Sequence, residues 1–107
     1  MKANLEKELL DKIIKKAKLV RLQANMKYKG NANRDVVPYT FYVGKQADDN
    51  DMYVVFESVV FSNHKVSDSL YMVYRYDVKK DALVELDVAD LGKAFFRNIK
   101  KLYEDSN

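Results

Sequence analysis

The sequence predicts an α+β fold: a two-layer sandwich with an N-terminal helix, a five-stranded, mostly antiparallel meander sheet and a C-terminal helix. Apolar residues recur every three or four positions at both ends of the chain, and they alternate with polar residues in the segments between these ends. The connections between the predicted elements are short. Each helix has one apolar stripe, so we expect both helices to cover the same face of the sheet. A length of 107 residues is close to the commonest size of one domain, and residues 1–107 are expected to form a single domain.

The first helix is predicted over residues 4–18, because the apolar residues of this segment fall within one half of a helical wheel. From residue 20 to residue 28 apolar and polar residues alternate strictly, which predicts the first strand. No glycine or proline separates the two segments, so a continued helix is the alternative. A continued helix would turn Leu19 and Leu22 outward, and the strand is therefore preferred.

Four further strands complete the predicted sheet. Alternation predicts a strand over 37–43, in which Pro38 indicates a strand start or an edge position. Residues 52–61 are almost all apolar, which is typical of a central strand covered on both faces. Residues 70–78 and 82–86 are predicted to form a hairpin. Polar connections are expected over 29–35, 44–51 and 62–69.

The last helix is predicted to begin after Asp87, because Asp90 follows at the third helical position as in a capping box. Apolar residues recur at steps of three and four from Val88 to Leu102, so we expect this helix to run to about Tyr103. A glycine inside the segment weakens the helix by roughly 1 kcal/mol relative to alanine.

The composition argues against most enzyme classes. The chain has no cysteine, one histidine and three scattered glycines, which excludes thiolate catalysis, cysteine-ligated zinc and glycine-rich phosphate loops. His64 stands near Asp68 in a polar segment, but composition alone explains this grouping, so a hydrolase is the less favoured interpretation. The acidic run over 48–51 lacks the spacing of a calcium loop. We therefore predict a protein that is not an enzyme and uses no metal or cofactor.

Charge is unevenly placed along the chain, although the net charge is only +3. Residues 1–30 contain nine basic and three acidic side chains, and the remainder contains ten basic and thirteen acidic ones. Such asymmetry bears on partners and encounter rates and not on the fold. No apolar run approaches the length of a membrane span and the N-terminus is charged, so we expect a cytoplasmic protein.

Eight tyrosines are many for this length, and most of them fall on predicted strands, where alternation divides the side chains between two faces. One set is expected beneath the helices and consists of Tyr39, Phe41, Tyr74 and Tyr76. The other set is expected on the opposite, exposed face and consists of Tyr42, Tyr53, Tyr71 and Arg75. An exposed aromatic face favours contact with a protein or stacking of single-stranded nucleic acid.

The favoured function is a small, non-catalytic binding or regulatory protein that contacts another protein or a second copy of itself. Tyr42, Tyr53 and Tyr71 are the predicted aromatic anchors, Arg75 is the predicted cation, and the N-terminal lysines would steer encounter. The alternative is sequence-nonspecific binding of nucleic acid through phosphate contacts. Its candidate residues are Lys15, Lys16, Arg21, Lys27 and Lys29. Fifteen lysines against four arginines disfavour the reading of bases, and a solvated helix face would also explain the lysines.

Overall fold

An N-terminal helix, a five-stranded antiparallel sheet and a C-terminal helix make up the described residues of the computed structural model, which are 2–28, 34–47 and 49–105. At 2–5, 25–28 and 34 only the backbone is described. The helices are α1 (Lys2–Tyr28) and α2 (Gly92–Asn98), and a 3-10 turn, Val88–Asp90, precedes α2. The strands are β1 (Arg34–Gln46), β2 (Met52–Ser62), β3 (Lys65–Asp77), β4 (Ala82–Leu86) and β5 (Ile99–Glu104). The sheet order is β4-β3-β2-β1-β5, and the predicted α+β class is confirmed.

Helix α1 is longer than predicted, and the strand expected over 20–28 is wrong because those residues continue the helix. Ala17 is fully buried, and Val20 follows it on the same helical face and packs against the core, so the apolar stripe extends. Strong helix formers such as leucine, arginine, glutamine and lysine fill the segment. As expected for a continued helix, Leu19 and Leu22 point outward and are 53% and 55% exposed.

The two helices lie on opposite faces of the sheet, so the predicted placement of both on one face is wrong. The cluster beneath α1 joins this helix to the sheet and contains Ile13, Ala17, Phe41, Val43, Val54, Phe56 and Tyr76. The cluster beneath α2 contains Tyr42, Tyr53, Val55, Val73 and Phe95. Neighbouring residues of β1 and β2 alternate between the two clusters, as the geometry of a strand requires. Helix α2 therefore adds a partial third layer to the predicted two.

The chain after α2 is a strand and does not continue the predicted helix. Asp87 does cap the turn before α2, where its carboxylate accepts a hydrogen bond from the Ala89 amide at 3.0 Å. Beyond α2, Ile99 packs against the cluster beneath α2, whereas Tyr103 packs against the cluster beneath α1. In a regular strand, as in a helix, residues four apart share a face, so these two contacts require the register shift that β5 makes opposite Val43 and Gly44. Strand β5 also pairs with the backbone of β1 over residues 42–46.

Gly44 lets β5 approach β1 closely. A β-carbon at Gly44 would lie 2.7 Å from the Ile99 side chain and 3.0 Å from the Lys100 carbonyl oxygen. The register between the two strands shifts between Val43 and Gly44, as happens where one strand contains an extra residue. A larger side chain at position 44 would therefore displace β5.

A two-residue turn joins β2 to β3, so the polar loop predicted over 62–69 is wrong. Asn63 and His64 have φ angles of 52° and 67°, the left-handed region that a type I′ hairpin turn requires at both central positions. Strand β3 therefore begins at Lys65. Because β4 and β5 pair with only one end of β3 and β1, the three strands β1, β2 and β3 extend past both edge strands.

A polar contact joins α1 to the turn between β3 and β4. Tyr76 Oη donates a hydrogen bond to Asp81 Oδ1 at 2.5 Å, and Lys16 Nζ lies 3.6 Å from the same oxygen. The hydrogen bond to Asp81, together with burial, raises the pKa of Tyr76 to about 12. The Tyr76 hydroxyl and the nearby Lys16 in turn hold the pKa of Asp81 below its ordinary value.

Alkaline pH is expected to destabilise the fold in part through Tyr76. The folded protein keeps this phenol neutral up to about pH 12, whereas the unfolded chain ionises it near 10.0. A pKa that folding raises gives stability that is complete below the unfolded value and is lost as the pH rises through this interval. The midpoint of urea unfolding should therefore fall less over this interval in Tyr76→Phe than in the native protein. An equal fall in the two proteins would contradict the assignment.

Candidate functional site

Helix α2 covers only part of its face of the sheet. It packs against Tyr53, Val55 and Val73. These residues lie at the end of the sheet where β4 pairs with β3 and β5 pairs with β1. The central strand predicted to be covered on both faces is continuously buried only over 53–56. Beyond that point no helix of the described chain covers this face. We call the uncovered part the open sheet face, and it consists of Val37, Tyr39, Glu57, Val59, Phe61 and Tyr71.

The open sheet face is contiguous and partly apolar. Val37 lies opposite Val59 across β1 and β2, and Glu57 lies opposite Tyr71 across β2 and β3. Tyr39 and Tyr71 are its most exposed members, at 45% and 46%, while the other four side chains are half-buried. Large aromatic side chains at this exposure on a contiguous surface are typical of a contact site.

An aromatic stack holds Tyr71 in place. Its ring centroid lies 5.2 Å from that of Phe96, and the two planes are inclined by 33°. Phe96 in turn meets Phe95 edge to face at 5.2 Å, and Phe95 belongs to the buried cluster beneath α2. A side chain that is already ordered loses little conformational entropy when a partner binds, which makes Tyr71 suitable as an anchor.

A small pocket of about 140 Å³ lies between Tyr39, Glu57 and Tyr71. Tyr39 Oη donates a hydrogen bond to Glu57 Oε2 at 3.2 Å, and this bond raises the pKa of Tyr39. Ser69 and Leu70 also line the pocket. Aromatic faces and a carboxylate around one small volume attract a cation. The pocket therefore suits a positively charged group, such as the end of a lysine or arginine side chain.

The residues predicted to form an exposed aromatic face do share one face, but two of them are buried. Tyr42 and Tyr53 are 7% and 8% exposed, so their expected exposure is wrong. Tyr53 meets Phe95 of α2 edge to face at 5.0 Å, and Lys101 Nζ lies 4.6 Å from the centre of the Tyr42 ring. Burial raises the pKa of Tyr42 to about 12. Sequence reasoning missed this cover because it assigned both helices to the other face.

The predicted exposure of Tyr71, Arg75 and Tyr39 has a different outcome for each residue. Tyr71 is exposed as predicted, and Arg75 is half-buried on the covered part of the same face. Tyr39, which the sequence prediction puts beneath the helices, lies on the open sheet face instead. The register of β1 shifts between Pro38 and Thr40, and an irregularity of this kind reverses the alternation of the residues beyond it. Pro38 is the sequence signal for it, because proline within a sheet is confined to edges and bulges.

Arg21, predicted to contact phosphate, is engaged within the fold. It forms an ion pair with Asp105, and its Nη1 donates to the Tyr39 carbonyl oxygen at 3.5 Å. Its guanidinium also lies 5.2 Å from the centre of the Phe41 ring. The side chains of Arg21 and Asp105 are only 19% and 13% exposed. Arg21 therefore joins α1 to the residues that follow β5, and phosphate would have to displace Asp105 to reach it.

The other four cations proposed to contact nucleic acid are Lys15, Lys16, Lys27 and Lys29, and they differ in exposure and in ion pairing where they are described. Lys16 is paired with Asp81, as described above. Lys15 is exposed on α1. The side chain of Lys27 and the whole of Lys29 lie outside the described residues. Two of the five predicted cations, Lys16 and Arg21, are thus in ion pairs within the fold.

A larger groove of about 800 Å³ lies on the other side of the sheet, between the first half of α1 and the end where β1 pairs with β5. Its large apolar lining residues are Leu9, Leu10, Met52 and Leu102. Its charged lining, among the described residues, consists of Lys7, Lys45 and Lys100, together with Glu6. We call it the lysine groove.

The described residues of the polar segments considered for chemistry make local hydrogen bonds. Asp49 accepts a hydrogen bond from the Asp51 amide at 2.9 Å, which stabilises the turn before β2. Asp68 accepts one from the Ser69 amide at 2.8 Å, and no described hydrogen bond joins Asp68 to His64. Within the described parts of the chain, no group of three or more acidic or histidine side chains is placed to hold a metal ion.

Comparison with known proteins gives no match: no family model, no curated protein and no solved structure resembles the chain. None of the helices, over the described residues, is long and apolar enough to cross a membrane. The surfaces of the molecule are therefore the basis on which a function is assigned.

Proposed function

We propose that the protein is a non-catalytic binding protein whose open sheet face contacts another protein. The observation that supports this most is the pair of half-exposed tyrosines, Tyr39 and Tyr71, fixed on either side of Glu57 on a sheet face that α2 leaves uncovered. Rigid tyrosines in the middle of an apolar patch are the residues that dominate binding energy in protein interfaces.

The partner is expected to present a basic side chain to this face. Glu57 is the carboxylate among the described residues that line the pocket, and it lies beside aromatic rings that also favour a cation. A symmetric dimer whose two-fold axis passed near Glu57 would bring this carboxylate close to its own copy, which opposes self-association in that arrangement. A different protein with an exposed lysine or arginine is therefore the favoured partner, and the cytoplasmic location expected from the sequence remains a prediction.

Replacing Tyr71 by alanine should weaken partner binding at least about tenfold, because it removes an anchor of the size that alanine scanning finds at interface centres. The measurement is the affinity of purified native and Tyr71→Ala protein for the partner captured with the native protein. Val78→Ala is the matched control, since Val78 is 72% exposed in the turn that follows β3, outside the open sheet face.

The test of Tyr71→Ala requires that the variant is folded, which its circular dichroism spectrum and urea unfolding curve will show. Glu57→Gln provides a second variant, because it removes the charge and retains an acceptor for Tyr39. Both variants binding as tightly as the native protein while folded would exclude the open sheet face as the contact surface.

A further inference from the structure

The lysine groove has the size and lining of a binding site for a small amphiphile. Its volume of about 800 Å³ falls within the roughly 300–1,000 Å³ that is usual for small-molecule sites. Leu9, Leu10 and Met52 are partly buried against the cluster beneath α1, so they form a fixed apolar floor. Leu102 is 41% exposed at the side formed by β5. These side chains leave apolar surface open to water that a hydrocarbon chain would cover.

Three ammonium groups of the groove come from three different elements. Lys7 lies on α1, Lys45 on β1 and Lys100 on β5. Lys45 and Lys100 are direct cross-strand partners, and like charges in that position destabilise a sheet. Among the described residues, no carboxylate forms an ion pair with any of the three. Among the described residues of the lining Glu6 is the single acid, so these residues together carry a net positive charge.

The charge and the apolar floor together identify the kind of ligand. An anion placed between Lys45 and Lys100 would replace their mutual repulsion by attraction. Lysine acts on anions as a point charge, and the described residues of the lining include no arginine fork of the kind that recognises planar groups in a bidentate manner. The same anion must continue into a chain that covers Leu9, Leu10 and Leu102. Charge complementarity thus calls for a single-chain amphiphile with a negative end.

We propose that the lysine groove binds a long-chain carboxylate, with its carboxylate between Lys45 and Lys100 and its hydrocarbon chain on the apolar floor. This inference is independent of the proposed contact with another protein, because the groove and the open sheet face lie on opposite sides of the sheet. Failure of either assignment leaves the other unaffected.

The first test is a calorimetric titration of the full chain with dodecanoate below its micelle concentration. One saturable site per chain is expected. Dodecyltrimethylammonium, which has the same hydrocarbon chain and the opposite charge, should bind about tenfold or more weakly, because it meets the three lysines. Comparable affinity for the two amphiphiles, or binding of dodecanoate that does not saturate, would overturn the proposal.

Two lysine variants then locate the site. Lys100→Glu should weaken dodecanoate binding about tenfold or more, because the substitution removes one cation and its new carboxylate pairs with Lys45. Lys15→Glu makes the same change of net charge at an exposed position of α1 that does not line the groove, and it should leave the affinity within about twofold. Equal losses in both variants, or a poly-glutamate peptide binding as tightly as dodecanoate, would overturn the proposal.

Discussion

Replacing Arg21 by alanine is expected to lower the free energy of unfolding by about 3 kcal/mol, because it leaves a largely buried carboxylate without its partner. Asp105, the partner, is 13% exposed, and the lost guanidinium also contacts the Phe41 ring and the Tyr39 carbonyl oxygen. Urea unfolding followed by circular dichroism gives the change directly. The value is large because three contacts between α1 and the sheet depend on one side chain.

The matched control for Arg21→Ala is Lys15→Ala, which also removes one positive charge from α1. Lys15 is exposed and forms none of the described ion pairs, so its loss should change the free energy of unfolding by less than about 0.5 kcal/mol. Equal stability of Arg21→Ala and Lys15→Ala would contradict the structural role of Arg21 and would return it to the set of available cations.

Replacing Phe95 by alanine is expected to cost about 3 kcal/mol and to uncover the tyrosines beneath α2. Phe95 is 9% exposed and provides the ring that meets Tyr53 edge to face. Helix α2 has only seven residues, so it has little stability apart from this packing. Burial is the main cause of the raised pKa of Tyr42, and that pKa should therefore fall toward its ordinary value in the variant.

Two measurements check Phe95→Ala: urea unfolding for the stability, and a spectrophotometric titration of the tyrosines for the pKa of Tyr42. Val78→Ala again serves as the control, because this exposed turn residue touches neither cluster. A variant of native stability in which Tyr42 keeps its raised pKa would show that α2 is not held by Phe95.

The fold class could be predicted from the sequence, because apolar periodicity records which faces are buried. The largely apolar run in β2 and the hairpin of β3 and β4 were readable in this way, and the capping carboxylate of Asp87 was readable from its spacing to Asp90. Periodicity does not decide between a helix and a strand where one segment fits both patterns. Residues 20–28 satisfy both a period of two and an extended helical stripe, and the long-range ion pair of Arg21 favours the helix.

The candidate site was predictable only in part. Tyr71 was placed correctly, because its strand is regular from position 70 onward. Tyr39 was misplaced because the register shift after Pro38 exchanges the faces of β1, and no local pattern gives the length of a bulge. The cover over Tyr42 and Tyr53 depends on where α2 packs, which is a property of the whole fold.

The two proposed surfaces have opposite charge requirements, which separates their ligands. The open sheet face offers Glu57 and aromatic rings to a cation, whereas the lysine groove offers three ammonium groups to an anion. Neither surface depends on Lys12, Lys15 or Lys18, which are exposed on α1 and do not line the groove. Those lysines remain available for steering encounter, an effect that salt would weaken.

The central claim, that the open sheet face is where a protein partner binds, is tested most directly by photo-crosslinking inside the producing cell. A photoreactive phenylalanine analogue is introduced in place of Tyr71, of Val78 and, separately, of Lys15. The account predicts one discrete protein adduct at position 71 that is absent at position 78. Adducts to nucleic acid from position 15, with none from position 71, would contradict the account and support the nucleic-acid alternative.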